Sequence, residues 1–80
     1  MPRFYFDVDD GRMIVEDDEG SDLPDLPAAE AEARQALGDL ARDILRVSTP
    51  APILSINIRD HLGKQLLSVS LTYSVAPAPA

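Results

Sequence analysis

Arg3-Phe4-Tyr5-Phe6-Asp7-Val8-Asp9-Asp10-Gly11-Arg12-Met13-Ile14-Val15-Glu16-Asp17 decides how the rest of this chain is read. Phe4, Phe6 and Val8 fall on one side of an alternation and Arg3, Tyr5 and Asp7 on the other, the period of a strand with a single buried face. Asp10-Gly11 suits a two-residue hairpin turn. With those two residues as the loop, Asp9 pairs with Arg12, Val8 with Met13 and Phe6 with Val15, so every core-facing residue meets an apolar partner. The segment therefore predicts a hairpin, with its second strand over Arg12 to Asp17.

Downstream, Asp17-Asp18-Glu19-Gly20-Ser21-Asp22 reads as a polar connection. It leads to Leu23-Pro24-Asp25-Leu26-Pro27, where the prolines suit a helix start. Leu26, Ala29, Ala33, Leu37, Leu40, Ile44 and Val47 recur every three or four residues and predict one long amphipathic helix. Asp25 is the expected N-cap, and Glu30 and Arg34 stand in the favourable i,i+4 order. Gly38 is the discordant residue, marking either a close approach of helix to sheet or a slight bend. Ser48-Thr49-Pro50-Ala51-Pro52 is expected to end the helix and return the chain to an extended form.

Two alternating segments follow. Leu54, Ile56 and Ile58 share a face, as do Leu67, Val69, Leu71, Tyr73 and Val75, with Asp60-His61-Leu62-Gly63 as the turn between them. A three-residue loop with a glycine bulge would set Ile58 opposite Leu66, whereas the apolar pattern wants Ile58 opposite Leu67 and Ile56 opposite Val69. A one-residue slip would invert the whole face, so the pattern is followed. This requires a four-residue loop or an extra residue absorbed as a bulge near Leu66.

The expected fold is α+β with the order ββαββ: a four-stranded antiparallel sheet, strand order 2-1-3-4, with one helix packed on one face. Residues 1–75 form a single domain, and 76–80 form a disordered Pro/Ala tail. The expected core is Phe4, Phe6, Val8, Met13, Val15, Leu26, Ala33, Leu37, Leu40, Ile44, Leu54, Ile56, Ile58, Leu67, Val69 and Leu71. The opposite sheet face carries Ile14 and Ser55 and the candidate partner or dimer surface: Arg3, Tyr5, Asp7, Asn57, Arg59, Ser68, Ser70 and Thr72. A domain of this length buries only about 60% of its unfolded surface, which favours a homodimer joined through the open face or the last strand.

Composition narrows the function. Fourteen acids against seven bases in 80 residues give a net charge of −7, which disfavours nucleic acid, whose phosphates are bound by Lys and Arg. Tyr5 beside Arg3 and Arg59 is too little for a base-stacking platform. With no cysteine, disulfides, thiolate metal sites and Cys nucleophiles are excluded. Neither a membrane span nor a signal peptide is read, so a cytoplasmic location is expected.

Eleven acids against one base, Arg12, lie between Asp7 and Glu32. Read as a calcium loop from Asp7, glycine falls at position 5 and Arg12 at position 6, so the spacing fails. The acids are read as turn formers, helix caps and solubilising charge. His61 is a turn-tip residue without a converging partner, and no nucleophile elbow or phosphate-cradling glycine loop is present. No catalytic residue, metal ligand or cofactor is therefore expected, and the chain is not read as an enzyme.

The chain resembles a family of short bacterial proteins of unknown function. The resemblance rests on Met1-Pro2-Arg3-Phe4-Tyr5-Phe6-Asp7, Asp10-Gly11, Asp17-Asp18-Glu19-Gly20, Asp22-Leu23-Pro24 with Asp25-Leu26-Pro27, the alanine-rich Ala28 to Ala33, and Arg59-Asp60-His61-Leu62-Gly63. It implies no activity and no site residues. Leu62 departs from the usual polar turn residue, and an exposed leucine there is a candidate contact point. The favoured reading is a non-catalytic interaction or regulatory module, a homodimer that offers its acidic side to a basic protein partner. The alternative is a small-ligand or divalent-cation-binding domain built on the acidic hairpin region.

Overall fold

A computed structural model describes residues 1–47 and 53–79. Among these residues, five strands and one helix follow in the order β1 (Arg3–Asp9), β2 (Ile14–Val15), β3 (Ser21–Asp22), α1 (Leu26–Arg46), β4 (Ile53–Arg59) and β5 (Gln65–Thr72). All pairings are antiparallel; the sheet runs β2-β1-β4-β5, and β3 also pairs with β1. The expected path 2-1-3-4 survives for the strands it named. The ββαββ order and the count of four do not, because the returning arm of the first hairpin is broken in two.

That break has a local cause. A two-residue turn of the expected type needs a left-handed Asp10, yet among the described residues only glycines have positive φ, here Gly11 at 87°. Asp10 instead accepts from the backbone N–H groups of Arg12 (2.9 Å) and Met13 (3.0 Å), and Asp9 accepts from Gly11 (2.8 Å). Such side-chain turns hold a wider loop. Val8 consequently lies opposite Val15 and Asp9 opposite Ile14, a slip of two residues that keeps each side chain on its expected face. Past Val15 the chain bows outward and returns with Arg3 opposite Asp22 and Phe4 opposite Ser21.

The second hairpin keeps its apolar register: Ile58 faces Leu67 and Ile56 faces Val69. Gly63, at φ 85°, closes the turn by donating its N–H to the Asp60 carbonyl at 3.1 Å. Arg59 then faces Gln65, so Leu66 is absorbed as a bulge. The glycine turn and the apolar pattern are thus both satisfied.

Helix α1 starts where Asp25, in extended backbone, accepts from the N–H of Ala28 at 2.9 Å, with Pro27 in the first turn. Its end at Arg46 is capped by Val47; the expected break at Ser48–Pro52 and residue Ala80 lie outside the described residues. Ala29, Ala33, Leu37 and Ala41, four apart, are buried, and the three alanines let the helix settle closely over β4 and β5. Beneath it, Ile56 and Ile58 are 1% and 0% exposed.

Met13, Val15 and Leu71, expected in the core, are exposed. Helix α1 packs chiefly on β4 and β5 rather than on β2, and Leu71 sits near the end of β5. Ala41 is buried, and Leu23 and Leu66 are half-buried against the core, although none was expected there. Gly38 is exposed, and apart from its chain neighbours and the adjoining helix backbone nothing lies within 4 Å of where its Cβ would stand. A close approach to the sheet is therefore not its reason. Residues 73–79 are exposed and without regular structure.

Candidate functional site

The open face of the sheet gathers four of the eight expected surface residues into one polar network. Tyr5 on β1 stands directly opposite Arg59 on β4, and Asp7 opposite Asn57. The Arg59 guanidinium lies 4.7 Å from the centre of the Tyr5 ring, a cation–π geometry. From there its Nε donates to Asp7 Oδ2 at 2.7 Å, and its terminal nitrogen donates to the Asp17 carbonyl at 2.7 Å. Asp7 is 8% exposed, and its other oxygen accepts from the Asp17 N–H at 2.9 Å.

Asp17 completes the network from the far side. Its Oδ2 accepts from the Phe6 N–H at 3.1 Å, replacing the ladder bond that β1 lacks where the returning arm bows out. Its Oδ1 accepts from the N–H groups of Glu19 and Gly20. Burial opposes ionisation of this carboxyl, but the donors of Gly20, Phe6 and Glu19, helped by Arg59, hold it below the ordinary carboxylate range. Gly20 is there for space and conformation: φ is 73°, and a Cβ would stand 2.8 Å from Arg3 Cγ and 2.9 Å from Tyr5 Cε2.

Arg3 extends the network to β3. Its Nε and a terminal nitrogen grip Asp22 at 3.0 and 3.1 Å, and the other terminal nitrogen donates to the Glu19 carbonyl at 2.8 Å. The bidentate bond to Asp22 raises the Arg3 pKa and lowers that of Asp22. The contact with Asp7 likewise raises that of Arg59. Among the described residues no buried side-chain polar atom lacks a partner.

The other four expected residues lie apart from this network. Asn57 accepts a long bond from Gln65 at 3.4 Å. Ser68, Ser70 and Thr72 form an exposed polar strip along β5. Ile14, paired with Asp9 on the same face, is exposed. The sequence alone places Asp17, Gly20 and Asp22 in a polar connection, and their part in the network emerges only from the structure. One signal for Asp17 and Gly20 was legible: an aspartate three residues before a glycine, the spacing of a side-chain-capped turn.

Several carboxylates of the acidic region serve the backbone. Asp10, Asp17 and Asp25 each accept from a peptide N–H two or three residues on. Asp60 likewise accepts from the N–H groups of Leu62 and Lys64, two and four residues on, so this neighbour of exposed His61 points its carboxylate into the turn. The N–H groups of Met13 and Arg12 lower the pKa of Asp10, and those of Lys64 and Leu62 lower that of Asp60. No set of three or more Asp, Glu or His side chains gathers around a common point among the described residues. Leu62 is 81% exposed at the turn tip.

Fold and network together define a small antiparallel α+β domain whose charged cluster fastens a looping chain to the sheet. The chain belongs to the family described as Domain of unknown function (DUF6894), which it matches over residues 3–72, from the first residue of β1 to the last of β5. No curated protein and no solved structure matches it. No helix among the described residues is long and apolar enough to cross a membrane.

Proposed function

We propose that this protein is a non-catalytic interaction module that works as a homodimer and presents its acidic loop to a basic protein partner. The observation that carries this reading is the closure of the Tyr5–Asp7–Asp17–Arg59 network on itself. The two carboxylates and the guanidinium of that network are spent on holding the chain, so binding falls to groups that remain exposed and unengaged. Glu16, Asp18 and Glu19 are such groups. All three are exposed, and their carboxylates take part in none of the hydrogen bonds or ion pairs among the described residues. They sit next to Asp17, whose anchoring sets the loop that carries them.

The test has two arms. Sedimentation equilibrium of the full chain is expected to show a dimer at micromolar concentration. Titration with a short oligolysine peptide is expected to show binding that weakens more in a Glu16→Gln/Asp18→Asn/Glu19→Gln variant than in a Glu32→Gln/Asp39→Asn/Asp43→Asn variant of equal charge. A monomer rejects the dimer; equal weakening rejects the acidic loop as the site.

A further inference from the structure

Strand β5 ends the sheet path β2-β1-β4-β5, and its outer edge has no partner strand among the described residues. Phe6 sends its N–H away from β4, toward Asp17. Because pointing alternates along an antiparallel strand, Tyr5, Asp7 and Asp9 bond to β4, and Leu54, Ile56 and Ile58 bond to Leu71, Val69 and Leu67 of β5. The N–H and C=O groups of Ser68, Ser70 and Thr72 therefore face outward, with no backbone partner among the described residues. Proteins usually blunt such an edge with a lysine, a proline or a covering segment. Gln65 to Thr72 contains no proline and no charged residue, in a chain of net charge −7.

We infer that a second copy of this chain occupies that edge, pairing β5 with β5 antiparallel about a two-fold axis at Val69; this rests on the homodimer reading above and specifies its interface. Self-pairing is favoured because the edge is neutral, so two strongly acidic chains meet there without placing like charges in contact. It is also favoured because the strand matches itself. An axis at Val69 sets Leu67 opposite Leu71 of the second copy and Val69 opposite its own counterpart on the helix side, with Ser68 opposite Ser70 on the open side. Only even-numbered register sums bring outward-facing residues opposite each other, and this one overlaps Leu66 to Thr72. The exposed Leu71 and Tyr73 border a small apolar groove with Ala41, Ile44, Leu45 and Leu54, and the second copy would extend its cover over that rim. The product is a continuous sheet across two molecules.

Three measurements on the full chain test this. Ser70→Pro removes an outward N–H, a substitution edge strands tolerate, and is expected to keep the wild-type far-UV spectrum while raising the dimer dissociation constant by roughly tenfold or more. Ser68→Lys/Ser70→Lys places lysine opposite lysine across the pair and is expected to be monomeric, as is Ser68→Glu/Ser70→Glu. Mixing the two charged variants is expected to restore a one-to-one dimer. A wild-type monomer overturns both this interface and the homodimer. A wild-type dimer that persists in the charged variants overturns this interface alone and leaves the homodimer itself standing. Should Ser70→Pro fail to fold, the charged pair and its mixture decide the matter.

Discussion

Arg59 donates to Asp7 across the open face of the sheet, from the last residue of β4 to the middle of β1, 52 positions away in the chain. The bond runs diagonally, since Arg59 faces Tyr5 and Asp7 faces Asn57, and the remaining donor and acceptor of the pair both reach Asp17. Two strands and the loop between β2 and β3 are thus tied at one point.

Asp7→Ala removes an acceptor that is nearly buried, leaving the Asp17 N–H and the Arg59 guanidinium without it. A loss of about 1–3 kcal/mol is expected. In a thermodynamic cycle with Arg59→Ala, the double variant is expected to lose clearly less than the two single losses combined, because both act through one network. Additive losses in urea unfolding would show that the pair is not coupled.

Stability is expected to fall in acid. The carboxyls of Asp10, Asp17, Asp22 and Asp60 titrate below their ordinary value in the folded chain, so unfolding takes up protons. Their contribution is complete above the unfolded value, near pH 4. It is lost as pH falls through the lower folded values. Thermal melts by circular dichroism between pH 7 and pH 2.5 should show the midpoint dropping below about pH 4, with a shallower drop in Asp17→Asn. A midpoint flat down to pH 2.5 would contradict this.

Two glycines separate conformation from propensity. Gly20→Ala is expected to destabilise by more than about 1 kcal/mol, since φ is positive and the new Cβ meets Arg3 and Tyr5. Gly38→Ala, in an exposed helix interior with open space around it, is expected to stabilise by about 0.5–1 kcal/mol. Equal signs in the two melts would refute the assignment.

Ile58→Ala tests the seam between helix and sheet. Ile58 is wholly buried, and truncation is expected to cost about 2–5 kcal/mol, a large share of what a domain of this size possesses. A variant melting within a few degrees of the wild type would place the core elsewhere.

The second hairpin shows how far pattern reading reaches. Its register followed from Leu54, Ile56 and Ile58 against Leu67, Val69 and Leu71, because burial on one face penalises any odd slip. Joining the glycine turn to that pattern requires either a four-residue loop or a bulge near Leu66, and the structure takes the bulge. The first hairpin shows where reading fails. Met13 and Val15 have the right spacing for the core, but β2 spans only Ile14–Val15, and turn capping by Asp9 and Asp10 moved the pairing by two residues, a shift the face pattern cannot detect.

By itself the sequence determined which faces are apolar, where the helix begins and how β4 and β5 align, because periodicity, capping and turn chemistry act over a few neighbouring residues. Only the tertiary structure decided that Asp7, Asp17 and Arg59 converge, that Gly20 must leave room for Arg3 and Tyr5, and that β2 lies uncovered. Those outcomes depend on where the helix comes to rest and on hydrogen bonds between segments far apart in the chain, and no local spacing records either.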